Sequence, residues 1–78
     1  MILTPAQCRA ARGLVDWSQD QLANNAGFGN STVRDFEKGR RVPLDETLTA
    51  IRRALEDAGM ELLRARGGKG VGVRSPER

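Results

Sequence analysis

With 78 residues, the chain has room for one domain with a modest core, and none for an enzyme's deep substrate cleft. Lys and Arg outnumber Asp and Glu by 13 to 10, a net charge of +3 that favours an anionic partner. Cys8 is the only cysteine and histidine is absent, which excludes an intrachain disulfide and removes both the usual zinc-ligand sets and the usual general base, so no metal, cofactor or enzymatic activity is expected.

Thr4-Pro5-Ala6-Gln7 reads as a helix start, because the Thr4 hydroxyl can accept from the amide of Gln7, proline suits the first helical position, and the Gln7 side chain can return the bond. The spacing predicts a first helix from about Pro5 to Val15, with Cys8, Ala11, Leu14 and Val15 as its buried stripe. Ser18-Gln19-Asp20-Gln21 repeats the reciprocal cap, and Trp17 stands where it can pack on Leu22 as a hydrophobic staple. This second helix carries Leu22, Ala23 and Ala26 inward and stops at Gly27, which tolerates the left-handed backbone at a helix end.

Phe28 and Gly29 form a turn, and a third helix from Asn30 to about Lys38 puts Val33 and Phe36 on one face before Gly39 ends it. Arg40-Arg41-Val42-Pro43 is a short basic loop. A fourth helix begins between Pro43 and Asp45, with Leu48, Ile51, Leu55 and Ala58 as its stripe, Gly59 as its stop, and Asp45 and Glu46 complementing its N-terminal dipole. Beyond Gly59 the apolar period changes to alternation at Met60-Glu61-Leu62 and again at Val71-Gly72-Val73, around a turn at Gly67 to Gly70. That pattern suits a β-hairpin, and the glycine-rich run suits a flexible tail equally. Residues 1–59 thus form the helical domain, and 60–78 a hairpin or dimerisation segment with a basic, frayed end. No apolar run approaches the ~20 residues that span a bilayer, and the N-terminus lacks a secretory pattern, so the cytoplasm is the expected location.

Two short helices joined by a glycine-containing turn, the second carrying polar residues opposite its apolar face, make a helix-turn-helix. The joint spacing of Ser18-Gln19-Asp20-Gln21-Leu22-Ala23, Gly27, Val33, Phe36-Glu37-Lys38-Gly39 and Pro43 resembles the Cro/C1-type (xenobiotic-response-element) helix-turn-helix family over roughly residues 4–58. The resemblance implies a mainly α, compact lambda-repressor-like bundle of four or five helices, with the second helix over the DNA backbone and the third in the major groove. It further implies sequence-specific binding of double-stranded DNA by a small transcriptional regulator, a repressor or autoregulator that reads an inverted-repeat operator.

On that reading Asn30, Ser31 and Asp35 occupy the family's base-facing positions: Asn can pair with adenine, Ser is adaptable, and Asp can accept from cytosine N4. Arg34 can reach guanine or a phosphate, and Asp35 needs a nearby donor such as Arg34 to be tolerated beside phosphates. Gln19 matches a phosphate-contacting position, and Lys38, Arg40 and Arg41 grip the backbone through charge alone. Arg12 and Glu37 match positions that form a structural ion pair. Gly29 departs from the usual Ser or Thr cap and Leu44 from a common polar one, which loosens the expected starts of the third and fourth helices. A homodimer is expected, since one helix reads only a few base pairs; the surface assigned to it is Met60, Leu62 and Leu63 with the returning Val71 and Val73, unless these fold back on the chain's own helices. The competing class is a protein-interaction module, an antitoxin or antiactivator that covers a partner protein with its hairpin or fourth helix.

Overall fold

The computed structural model describes residues 3–64 and 70–74. Among them are four helices, α1 (Pro5–Leu14), α2 (Gln19–Ala26), α3 (Asn30–Glu37) and α4 (Asp45–Asp57), then two antiparallel strands, β1 (Glu61–Arg64) and β2 (Gly70–Arg74). Residues of the expected glycine-rich turn at 67–69 and of the frayed end at 75–78 lie outside the described residues.

Both reciprocal caps are present. The Thr4 hydroxyl accepts from the Gln7 amide at 3.1 Å while the Gln7 carboxamide oxygen accepts from the Thr4 amide at 3.1 Å; Ser18 and Gln21 repeat this at 3.1 and 2.8 Å. Each such cap satisfies two of the donors that a helix start leaves open, and contributes about 1 kcal/mol. Leu3, immediately before the first cap, is fully buried with Cys8 in the core, a staple that went unread in the sequence. Trp17 is half-buried and packs against the core, as Leu22 does from inside it.

All four helices close in one way, by an amide reaching back five residues: Trp17 to Arg12, Phe28 to Ala23, Arg40 to Asp35 and Met60 to Leu55. The closure needs a left-handed residue just before the donor. Glycine takes that conformation without a Cβ clash at Gly27 (φ 86°) and Gly39 (φ 74°), which close α2 and α3 respectively. After α1 the role falls to Asp16 at φ 60°, one of the few residue types other than glycine that enter this region readily.

The core gathers Leu3, Cys8 and Ala11 with Leu22, Val33 and Phe36, and with Leu48, Ile51 and Leu55 of α4. Leu14 does not join it and is 53 % exposed. At about 100° per residue, six residues beyond Cys8 lies roughly 120° round the helix from it, whereas Val15 returns to within roughly 20°; Val15 does pack against the core.

The C-terminal segment pairs as a hairpin, with Glu61 opposite Arg74, Leu62 opposite Val73 and Leu63 opposite Gly72, and an irregularity between Leu63 and Arg64. β2 runs against α1. Met60 and Leu62, assigned above to a dimer surface, are instead 3 % and 8 % exposed and belong to the chain's own core. The left-handed turn at Gly59 (φ 96°) sends the chain back over the helices, so the alternating pattern is satisfied internally at these two residues. Leu63 and Val73 are placed by backbone register and Val71 falls at the irregularity in β2; of the side chains of these three nothing is described. Among the described residues no helix is long and apolar enough to cross a membrane.

Candidate nucleic-acid interface

α2 and α3 are joined by Gly27, Phe28 and Gly29, and α3 starts at Gly29 without a side-chain cap. What holds α3 is therefore its inward face and its C-terminal end. Val33 and Phe36 are buried, and between them they orient the helix so that Ser31, Arg34 and Lys38 are exposed and Asn30 and Asp35 half-exposed. Gly39 then turns the chain into an extended basic segment in which Arg40 and Arg41 are exposed. Among the described residues, none of Arg34, Lys38, Arg40 or Arg41 is engaged in an ion pair. Four exposed guanidinium and ammonium groups thus stand without an ion-pair partner within eight residues of chain.

Ser31, Asp35 and Arg41 come together at one depression, whose other walls are Phe28, Thr32, Pro43, Leu44 and Thr47. The apolar walls are part of a rim that includes the exposed Leu44, with Val42 exposed beside it. Arg34 and Asp35 do not pair with each other; adjacent helical residues point in different directions. Arg41 is the one cation among the residues lining this depression with Asp35, and the hydroxyls of Ser31, Thr32 and Thr47 line it too.

The C-terminal end of α3 is fixed by a convergence on Glu37, which is 3 % exposed. The Arg12 guanidinium donates through Nε to Oε2 and through Nη2 to Oε1, each at 2.9 Å, the two-pronged geometry that a planar fork makes with a carboxylate. Its Nη1 also donates to the Trp17 carbonyl at 2.9 Å, tying the α1–α2 turn to the same pair. Gln19 Nε2 donates to Glu37 Oε1 at 3.1 Å and Cys8 Sγ to Oε2 at 3.1 Å. Arg9 donates to the Glu37 backbone carbonyl, one of those a helix end leaves open. Burial pushes the Glu37 carboxyl pKa up, but the donated bonds of Arg12, Gln19 and Cys8, with the Arg12 charge, outweigh it and leave the group below its ordinary range. Bonding to Glu37 holds the Arg12 guanidinium more firmly protonated, against the opposing pull of burial. The Cys8 thiol is raised by its burial, and further by its bond to and repulsion from the carboxylate, which keeps it a donor.

Gln19 is thus engaged inward through one of its amide hydrogens, while its second hydrogen and its oxygen have no partner among the described residues. Cys8 and Arg9 are contributors that the sequence reading missed as ligands of Glu37. A signal existed for Arg9, which stands three residues before Arg12 and so on the adjoining part of the same helix face. No group of three or more acidic or thiol side chains among the described residues could hold a metal ion.

A helix-turn-helix family model matches residues 9–56, which run from within α1 to one residue short of the end of α4. Among solved structures, the solution NMR structure of the DNA-binding domain of the P22 C2 repressor is similar at a TM-score of 0.64 and 28 % identity, covering 69 % of this chain and 71 % of that one. No curated protein sequence matches the chain. With the matched segment taking in α2, α3, the turn at Gly27 between them and most of α1 and α4, the chain belongs to the Cro/C1-type helix-turn-helix family and has the fold of a repressor's DNA-binding domain.

Proposed function

We propose that the protein is a transcriptional regulator that binds double-stranded DNA by laying α3 in the major groove, and that it acts as a repressor or autoregulator at an inverted repeat. The observation that carries this reading is the continuity of two surfaces: the outward side of α3, with Asn30, Ser31, Arg34 and Asp35, runs directly into the unpaired cations Lys38, Arg40 and Arg41. Base edges are read by short polar side chains only when phosphate contacts fix the helix in register, and both components adjoin here. The start of α2 supplies a further phosphate seat, from its open amides and the free hydrogen of Gln19. The P22 C2 repressor domain, similar in fold, is described as DNA-binding, which supports the same assignment. A protein-interaction role built on an exposed apolar strand loses support, since Met60 and Leu62 are buried in the chain's own core.

Asn30→Ala tests the readout. A bidentate contact to adenine contributes about 1–3 kcal/mol of discrimination, so selection from randomised duplexes should return a site degenerate at one base pair per half-site, with unchanged helical content. A preference profile identical to wild type at every position would remove Asn30 from the readers.

A further inference from the structure

We propose that Arg9 of α1 binds a phosphate of the DNA backbone on the flank of α3 opposite the basic loop, so that α3 is held in the groove from both sides. This deepens the DNA-binding reading by adding a contact outside the helix-turn-helix unit and its loop, and it rests on that reading. The loop lies on one flank, where Arg41 lines a depression with Ser31, Thr32 and Asp35. α1 lies on the other, because Arg12 and Cys8 both reach the Glu37 side chain. At about 100° per residue, Thr32 stands roughly 100° round α3 from Ser31 in one sense and Glu37 roughly 120° in the other. The major groove is walled by one strand's backbone on each side, so a helix lying in it with the exposed Ser31 towards the bases has phosphates along both of these flanks.

Arg9 is the cation that the second flank can offer. Among residues 5–26 the only basic side chains are Arg9 and Arg12, while the α1–α2 turn and the start of α2 bring the acidic Asp16 and Asp20. Arg12 is committed to Glu37 through two of its nitrogens and to the Trp17 carbonyl through the third. Gln19 and the open amides of α2 supply hydrogens on this flank but no full charge. Arg9 is exposed, has no acidic partner among the described residues, and donates from Nη1 to the Glu37 main-chain carbonyl. That bond uses one of a guanidinium's five N–H donors and leaves the others without an acceptor among the described residues. It also fixes the side chain beside the peptide that leads into Lys38, so less rotamer freedom is left to lose when an anion arrives. Any donor could cap the end of α3, whereas a charged planar fork held at the edge of the candidate interface matches a phosphate, which it can meet with two parallel bonds.

The test uses the full chain and a duplex that wild type selects from a randomised pool, with binding followed by fluorescence anisotropy and folding by circular dichroism. Arg9→Gln removes the charge and keeps a donor for the Glu37 carbonyl. It should bind more weakly than wild type at 50 mM salt, and the gap should narrow by roughly 3.5-fold at 200 mM, one phosphate contact's share of the salt dependence. Arg9→Lys keeps the charge and should keep the wild-type salt slope. Arg53→Gln makes the same change in net charge at an exposed position on α4, and should bind as wild type does. Methylphosphonate, placed at one phosphate at a time, locates the contact: wild type should be weakened at a phosphate to which Arg9→Gln is indifferent. Within a half-site that phosphate should lie on the strand opposite the one carrying the phosphate to which Arg41→Gln is indifferent. An Arg9→Gln slope equal to wild type, an equal loss in Arg53→Gln, or both phosphates on one strand would each overturn the proposal. A wild type that selects no duplex would refute the DNA-binding reading and this contact with it, whereas sound wild-type binding with a silent Arg9→Gln would refute the contact alone.

Discussion

Replacing Glu37 by alanine should destabilise the protein by about 3 kcal/mol, the lower end of what removing one partner of a buried ion pair costs. The lower end applies because the Glu37 side chain is 2 % exposed but that of Arg12 is 21 %, so the stranded guanidinium regains some water. A chain of this length has a total stability of roughly 4–12 kcal/mol, so the loss is a large part of it and urea unfolding resolves it easily. Gln19, Cys8 and Arg12 lose a shared acceptor at once, and the cost should exceed that of Arg52→Ala, which breaks an exposed pair on α4 worth less than about 1 kcal/mol. The acid limb carries a second signature. The folded pKa of Glu37 is depressed, so its stabilisation is fully present above the unfolded carboxylate range and is lost as pH falls through the lower folded value. Glu37→Gln should therefore flatten the loss of stability below about pH 4, the ordinary glutamate range. Equal urea midpoints for wild type and Glu37→Ala would show that the pair is no more than a solvated one.

The second large effect concerns affinity. Arg40→Ala combined with Arg41→Ala removes two of the unpaired cations that adjoin α3, and should weaken binding to every duplex alike while leaving base preference intact. Each phosphate contact contributes about 0.9 to the slope of log affinity against log salt, so the double variant should lower that slope by about 2 per domain. Both side chains are exposed and hydrogen-bonded to nothing described, so helical content and urea midpoint should stay at wild-type values. An unchanged salt slope, measured by fluorescence anisotropy across a range of salt concentrations, would move the phosphate contacts elsewhere.

What could be read from the sequence was what local chemistry decides. The caps at Thr4 and Ser18 are spelled by residues three apart, and Gly27, Gly39 and Gly59 mark helix ends because the left-handed backbone there strongly favours glycine. Asp16 does the same work at the end of α1 without a comparable mark, since aspartate is common in other settings. Alternation at Met60 and Leu62 told which side chains share a face, but a period of two carries no information on what covers that face; the helices of the same chain do. The candidate DNA-reading positions came from a family resemblance, and the pairing of Arg12 with Glu37, 25 residues away, was equally beyond any local rule. Least legible was the rest of the Glu37 cluster. Cys8 reads as a core residue and is one, and nothing in an apolar stripe announces that its thiol also donates to a carboxylate brought from the end of α3.

The most direct test of the account is a titration of the purified chain against duplex DNA between 50 and 200 mM salt, which the expected slope of about −3 per domain makes decisive. Lys38, Arg40 and Arg41 then act together, and the account predicts binding at low salt that weakens by roughly 40-fold per domain over that range. Absence of duplex binding at the lowest salt, or binding indifferent to salt, would contradict it.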